Sequence, residues 1–124
     1  MITERRQHPR IVTDFPARVR NLAGEVMNTQ LLDLSLCGLK LAADDALIAH
    51  IQVDDEDGKR VFPEEMQVEF TLPVKSEVLT IGLHCRLVHT RRLSQHAYQI
   101  GLRILQYDDA SEEHLQFYIN SQLK

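Results

Sequence analysis

The stretch "ERRQHPR" at positions 4–10 gathers three arginines, Arg5, Arg6 and Arg10, with only Glu4 beside them as a counter-charge. Arginine stays charged at any relevant pH, and its planar fork can grip two oxygens of a phosphate at once. Arg6 and Arg10 form R-x-x-x-R, a spacing too common to mean anything alone. Further along, "DLSLCG" sets Asp33, Ser35 and Gly38 in the rarer pattern D-x-S-x-x-G. Here a carboxylate accepts hydrogen bonds, a hydroxyl donates or accepts beside it, and a glycine lets backbone come close or turn with positive φ. This is equipment for holding a polar anion. No nucleophile–base pairing, metal cluster or phosphate-cradling glycine loop accompanies it, so the expectation is a binding protein and not an enzyme.

The rest of the composition narrows the partner. The chain has 124 residues, 44% of them hydrophobic and 26% charged, with a formal net charge of −4. That length suits one domain with a real core. A negative net charge argues against general binding to nucleic acid or anionic membrane, so any anion must be caught by a local cluster. No apolar run reaches membrane-spanning length and no signal-peptide stretch opens the chain, so a cytoplasmic location without membrane insertion is expected. Two cysteines, Cys37 and Cys85, are too few for a disulfide framework and read as reduced thiols.

The elements that must position these residues read mainly as strands. From Phe15 the pattern has period two: Phe15, Ala17 and Val19 share one face, opposite Pro16, Arg18 and Arg20. "VMNTQLLDLS" reads as a returning strand and "GLKLA" as a third. "MQVEFTL" places Val68, Phe70 and Leu72 on one side. "EVLTIGLHCRLVH" does the same with Leu79, Ile81, Leu83, Cys85 and Leu87, and "YQIGLRI" with Tyr98, Ile100, Leu102 and Ile104. Six strands with one-sided burial and short turns imply an antiparallel barrel or sandwich. The closing "DDASEEHLQFYINSQ" predicts an amphipathic helix, with Asp109 and Glu112 at capping-box spacing and Leu115, Tyr118, Ile119 and Leu123 on its apolar stripe. The domain thus divides into an N-terminal arm over 1–14, strands over 15–107 and a helix over 108–124.

Residues 43–65 are the least legible. "ADDALIAH" suggests a short helix and "DDEDGK" an acidic turn. In that turn Asp55, Asp57, Gly58 and Glu64 fall at positions three, five, six and twelve of a calcium-loop template, but Val53 occupies the first position and offers no side-chain ligand. A solvated turn is the expectation. His84, Cys85 and His89 do not make a metal site if the strand alternates strictly, because His84 then points away from the other two. Cys37 reads as a small buried residue and His8 as an exposed loop histidine. Arg86, Arg91, Arg92 and Arg103 read as solvent-facing charges, with Arg86 a weak candidate for a further ligand contact.

Taken together, R-x-x-x-R and then D-x-S-x-x-G resemble the PilZ domain, a bacterial receptor for the second messenger cyclic di-GMP. "CRLVHTRRLSQHAYQIGLRIL" and "EEHLQFYI" are similar to that family's last strands and terminal helix. The resemblance implies a six-stranded antiparallel β-barrel with a flanking C-terminal α-helix. It also implies that Arg6 and Arg10 clamp the ligand while Asp33, Ser35 and Gly38 contact it from the barrel. Arg5, directly before the motif, goes with an intercalated pair of ligand molecules.

The chemistry is consistent with that implication. A guanidinium meets guanine O6 and N7 in bidentate fashion, for roughly 1–3 kcal/mol of discrimination. Guanine N1–H and N2–H₂ in turn suit a carboxylate such as Asp33. With no output domain of its own, such a chain would act through an unknown effector protein in trans, its arm ordering over the barrel on binding. The alternative is a PilZ-like adaptor that binds a protein partner without nucleotide. A nucleic-acid-binding barrel of the OB type fits poorly, with 6% aromatics and no tryptophan.

Overall fold

The computed structural model describes residues 9–123. Strand β1 (Ile11–Arg20) buries Ala17 and Val19 and exposes Arg18 between them. It turns at Asn21, whose side chain accepts the Glu25 N–H at 2.9 Å, and returns as β2 (Val26–Leu34). Strand β3 (Gly38–Asp44) follows, then helix α1 (Asp45–Ile51), the short strands β4 (Val53–Asp54) and β5 (Arg60–Val61), and β6 (Met66–Val74). The long β7 (Glu77–Arg92), β8 (Ala97–Tyr107) and helix α2 (Ser111–Gln122) complete the chain. Six strands close into a barrel in the order β1-β2-β3-β8-β7-β6, every pairing antiparallel.

Period-two alternation explains the barrel's inside. Leu31, Leu41, Val68, Ile81, Leu83 and Ile100 are fully buried there. Closure removes the free edges that a flat sheet would expose. One partial edge remains, because β6 pairs with β1 only from Ala17 onward. Pro16, which has no N–H to donate, lies just outside that pairing.

Three features differ from the sequence expectations. β1 begins at Ile11 and not at Phe15. A bulge between Val12 and Phe15 breaks the alternation there, so the strand's first residues carry no periodic signal, although Ile11 still pairs with Leu34 and Val12 with Asp33. The capping box at Asp109 does not form. The N-cap position is Ala110 with no side-chain cap, and Asp109 takes a left-handed φ of 46°. Ser111 is instead buried and accepts the Gly82 N–H at 2.8 Å, tying the helix start to β7. Leu123 is exposed, while Leu115, Tyr118 and Ile119 seal one side of the barrel and Tyr118 meets Phe15 edge-on at 6.2 Å. In residues 43–65, the least legible in the sequence, the expected short helix and acidic turn both form.

That segment is α1 and a hairpin. Asp44 caps α1 by accepting the Leu47 N–H at 2.8 Å, and Leu47 and Ile51 anchor the helix in the core. In the β4–β5 turn, Asp55 Oδ1 accepts the N–H groups of Asp57 and Lys59 at 2.9 and 2.8 Å, and Gly58 supplies a φ of 79°. The acidic oxygen that the calcium template would use is therefore engaged by its own turn. Replacing Asp44 with alanine should cost about 1 kcal/mol through the lost cap, read as a lower urea midpoint at unchanged slope.

Candidate functional site

The β2–β3 turn and the start of β1 form one corner of the barrel. Ile11 of β1 pairs with Leu34 at the end of β2, which brings Arg10 against Asp33. The Arg10 guanidinium donates to Asp33 Oδ1 at 2.7 Å, with the two side chains 31% and 14% exposed. From the other side, Lys40 of β3 places its ammonium 3.6 Å from Asp33 Oδ2. One half-buried carboxylate thus sits between two cations, one from each motif region. Charge-assisted pairs of this length are strong and directional, so Arg10 is held at Asp33 and not left in solvent.

The turn beyond Asp33 is built by Ser35. Its hydroxyl is buried and accepts the N–H groups of Cys37 and Gly38 at 3.3 and 3.2 Å, while its own N–H donates to the Gly38 carbonyl at 2.8 Å. Ser35 therefore shapes the loop next to Asp33 by binding its backbone. Gly38 is required by packing: a Cβ there would lie 2.6 Å from the Leu102 carbonyl oxygen on β8. Two bonds from β8 fix the loop from outside. The Ile104 N–H donates to the Cys37 carbonyl at 2.9 Å, and the Tyr107 hydroxyl donates to the Leu36 carbonyl. Burial, with a smaller contribution from Glu112, pushes the Tyr107 phenol up to about 12, so it remains a donor. Cys37 is exposed, contrary to the buried position expected for it.

Of the sequence candidates, Arg10, Asp33, Ser35 and Gly38 converge on this corner, and Arg5 and Arg6 lie outside the described residues. Two residues escaped sequence reasoning. Lys40 reads as an ordinary strand charge, and only its pairing register with Asp33 reveals its place. His89 was expected on the Cys85 side. A bulge between Leu87 and His89 turns it outward, where it pairs with Gly101, itself the register partner of Lys40. The His89 ring lies over Gly101, since a Cβ on that glycine would come within 2.1 Å of it. A flat ring thus shares the outer wall with Lys40 and Asp33. No sequence signal marks a bulge of this kind.

The histidine–cysteine group on β7 is dispersed. Cys85 is buried, and burial pushes its thiol up to about 12, far from the thiolate a metal needs. His84 is engaged by Glu65 and Asp108, each at 3.0 Å. Among the described residues no cluster of His, Cys, Asp and Glu is placed to hold a metal, and no helix is long and apolar enough to cross a membrane.

Comparison with known proteins places this geometry. The fold is similar to the Bacillus subtilis inhibitor of motility MotI/DgrA, with 15% identity and a TM-score of 0.70 over 98% of this chain and 53% of that one. It is similar to the PilZ domain of Escherichia coli YcgR with c-di-GMP, with 16% identity and a TM-score of 0.58 over 95% and 91%. The K. pneumonia MrkH–c-di-GMP complex matches with 18% identity and a TM-score of 0.59 over 98% and 54%. This chain therefore spans about half the length of the first and third of these proteins. No curated protein matches it in sequence. The family model for the PilZ domain matches residues 4–121. With both motifs inside that span and a barrel of the matching architecture around them, the chain belongs to the PilZ domain family of non-catalytic cyclic di-GMP receptors.

Proposed function

We propose that this chain binds cyclic di-GMP at the β1–β2–β3 corner and signals by fixing its N-terminal arm over that corner for a partner protein to read. The observation that carries the proposal is the Arg10–Asp33 pair, which joins the R-x-x-x-R segment to the D-x-S-x-x-G turn at a single point. Arg10 and Asp33 offer complementary halves of guanine recognition, a bidentate donor for O6 and N7 and an acceptor for N1–H and N2–H₂. Because those two edges lie on opposite sides of the purine, a guanine entering between Arg10 and Asp33 breaks their present contact and parts the two side chains. Arg6 binds phosphate, and Arg5 supports a second, intercalated ligand molecule. Neutralising these cations offsets the ordering of the arm, about 1–2 kcal/mol per residue. Since β1 already begins at Ile11, the responsive segment ends at Arg10 and not at residue 14.

Hydrogen exchange of the N-terminal peptides tests this arm mechanism. With saturating cyclic di-GMP, amides before Ile11 should gain protection while those of α2 stay as they were. Binding that leaves the arm's exchange unchanged would refute the mechanism. A second reading, an adaptor that binds its protein partner without nucleotide, draws on the same pair, because Arg10 and Asp33 can satisfy one another as a structural contact. A folded wild type with no measurable affinity for cyclic di-GMP would favour it.

A further inference from the structure

Arg86 of β7 and Arg103 of β8 stand directly opposite one another on the outer wall of the barrel. Both are exposed, and among the described residues neither lies within ion-pair distance of an acid. On the same barrel Arg18 has Glu69 and Lys40 has Asp33, while Arg20 and Arg92 are held by backbone carbonyls. Like charges placed opposite each other on neighbouring strands repel. This pair is therefore an unfavourable arrangement for the protein by itself, and it concentrates positive potential at one spot.

The spot is continuous with the motif corner. Arg103 is the register partner of Gly38, so the three positions Gly38, Arg103 and Arg86 run in one row across β3, β8 and β7. At the usual strand spacing the row covers about 10 Å, within the reach of a dinucleotide. Gly38 contributes no side chain, and its backbone is buried against the Leu102 carbonyl. Two bulges, between His84 and Cys85 and between Leu87 and His89, accompany the outward placement of Val88 and Leu105, 54% and 49% exposed. With Leu87 they line a groove of about 320 Å³ around the two guanidiniums. Paired cations beside an apolar flank fit a phosphodiester whose attached purine packs on hydrocarbon.

We infer that Arg86 and Arg103 form a second phosphate seat, holding a phosphodiester of the cyclic dinucleotide whose guanine end is bound at Arg10 and Asp33. The inference rests on the receptor reading above and extends it across two more strands. An acidic peptide is the less apt occupant, because Arg103 of the groove is the register partner of Gly38 at the end of the motif turn.

The test is calorimetric titration of the full chain with cyclic di-GMP, at low and at moderate salt. It compares wild type, Arg10→Ala, the double variant Arg86→Ala/Arg103→Ala, and Arg86→Lys/Arg103→Lys. The alanine pair should weaken binding about tenfold to a hundredfold and flatten its salt dependence, as loss of charge-assisted contacts requires. The lysine pair should recover part of both. Without ligand, the alanine pair should unfold at or above the wild-type temperature because a repulsion has been removed. A double variant that binds like wild type, at both salts, while Arg10→Ala fails, overturns the second seat and leaves the receptor reading standing. A folded wild type that gives no heat overturns both.

Discussion

Replacing Asp33 with alanine should lower the affinity for cyclic di-GMP by about a hundredfold or more. The carboxylate is 14% exposed and holds Arg10 at 2.7 Å, with Lys40 at 3.6 Å on its other oxygen. Its removal deletes the acceptor for the guanine N–H edge, a hydrogen bond to a charged group worth about 1.5–3 kcal/mol. It also leaves two cations facing each other and frees Arg10 from the position in which it would meet the base. The two effects together reach about 3 kcal/mol, or roughly a hundredfold in Kd. Asp33→Asn should fall between, since it keeps one acceptor oxygen but turns an NH₂ donor toward a donor edge. Equilibrium dialysis with labelled ligand measures both variants. Wild-type affinity in Asp33→Ala would place the ligand somewhere other than this corner.

The second large effect is expected from Gly38→Ala. The new methyl would sit 2.6 Å from the Leu102 carbonyl oxygen, with the Leu102 carbonyl carbon at 3.7 Å and Arg103 Cα at 3.9 Å behind it. All three are backbone atoms of β8, so no rotamer change can relieve the contact, and the β3–β8 ladder must shift. Overpacking of this kind costs about 1–3 kcal/mol, read as a drop of several degrees in Tm. Moving β3 also disturbs the turn that Ser35 ties to Cys37 and Gly38, and so displaces Asp33 from Arg10. Affinity should therefore fall at least tenfold alongside stability, an estimate that follows from the sensitivity of positioned contacts to shifts of an ångström. Thermal unfolding followed by titration separates the two. A variant with unchanged Tm would mean that β8 yields at no cost.

Where side chains alternate strictly, the fold was legible in the chain alone. Ala17 and Val19, Val68 to Leu72, and Ile81 to Cys85 occupy the faces that period two assigns them. Legibility ended at irregular backbone. The bulge after Val12 hid the first turn of β1, and the bulge before His89 moved that ring to the opposite wall. Neither insertion leaves a compositional mark, because a bulge adds a residue without changing residue type. The helix start was misplaced for a different reason. Asp109 and Glu112 have capping-box spacing, yet the buried Gly82 N–H needs a partner and Ser111 supplies it, so the helix begins one turn-position later than a local rule proposes.

The motif corner shows both sides of this. Asp33, Ser35 and Gly38 could be picked out by spacing, and their meeting with Arg10 follows from a β1–β2 hairpin of the right register. Their separate tasks could not be read that way. Ser35 is turned into its own loop, and Lys40 becomes a partner of Asp33 only because β2 and β3 pair as they do.

The most direct test of the central claim is isothermal titration of wild type and Arg10→Ala with cyclic di-GMP at moderate salt. Wild type should give saturable heat, with two ligands per chain if Arg5 supports an intercalated pair, and Arg10→Ala none although circular dichroism shows the same β-rich fold. A folded wild type that gives no heat, or an Arg10→Ala variant that binds as wild type does, would contradict that claim.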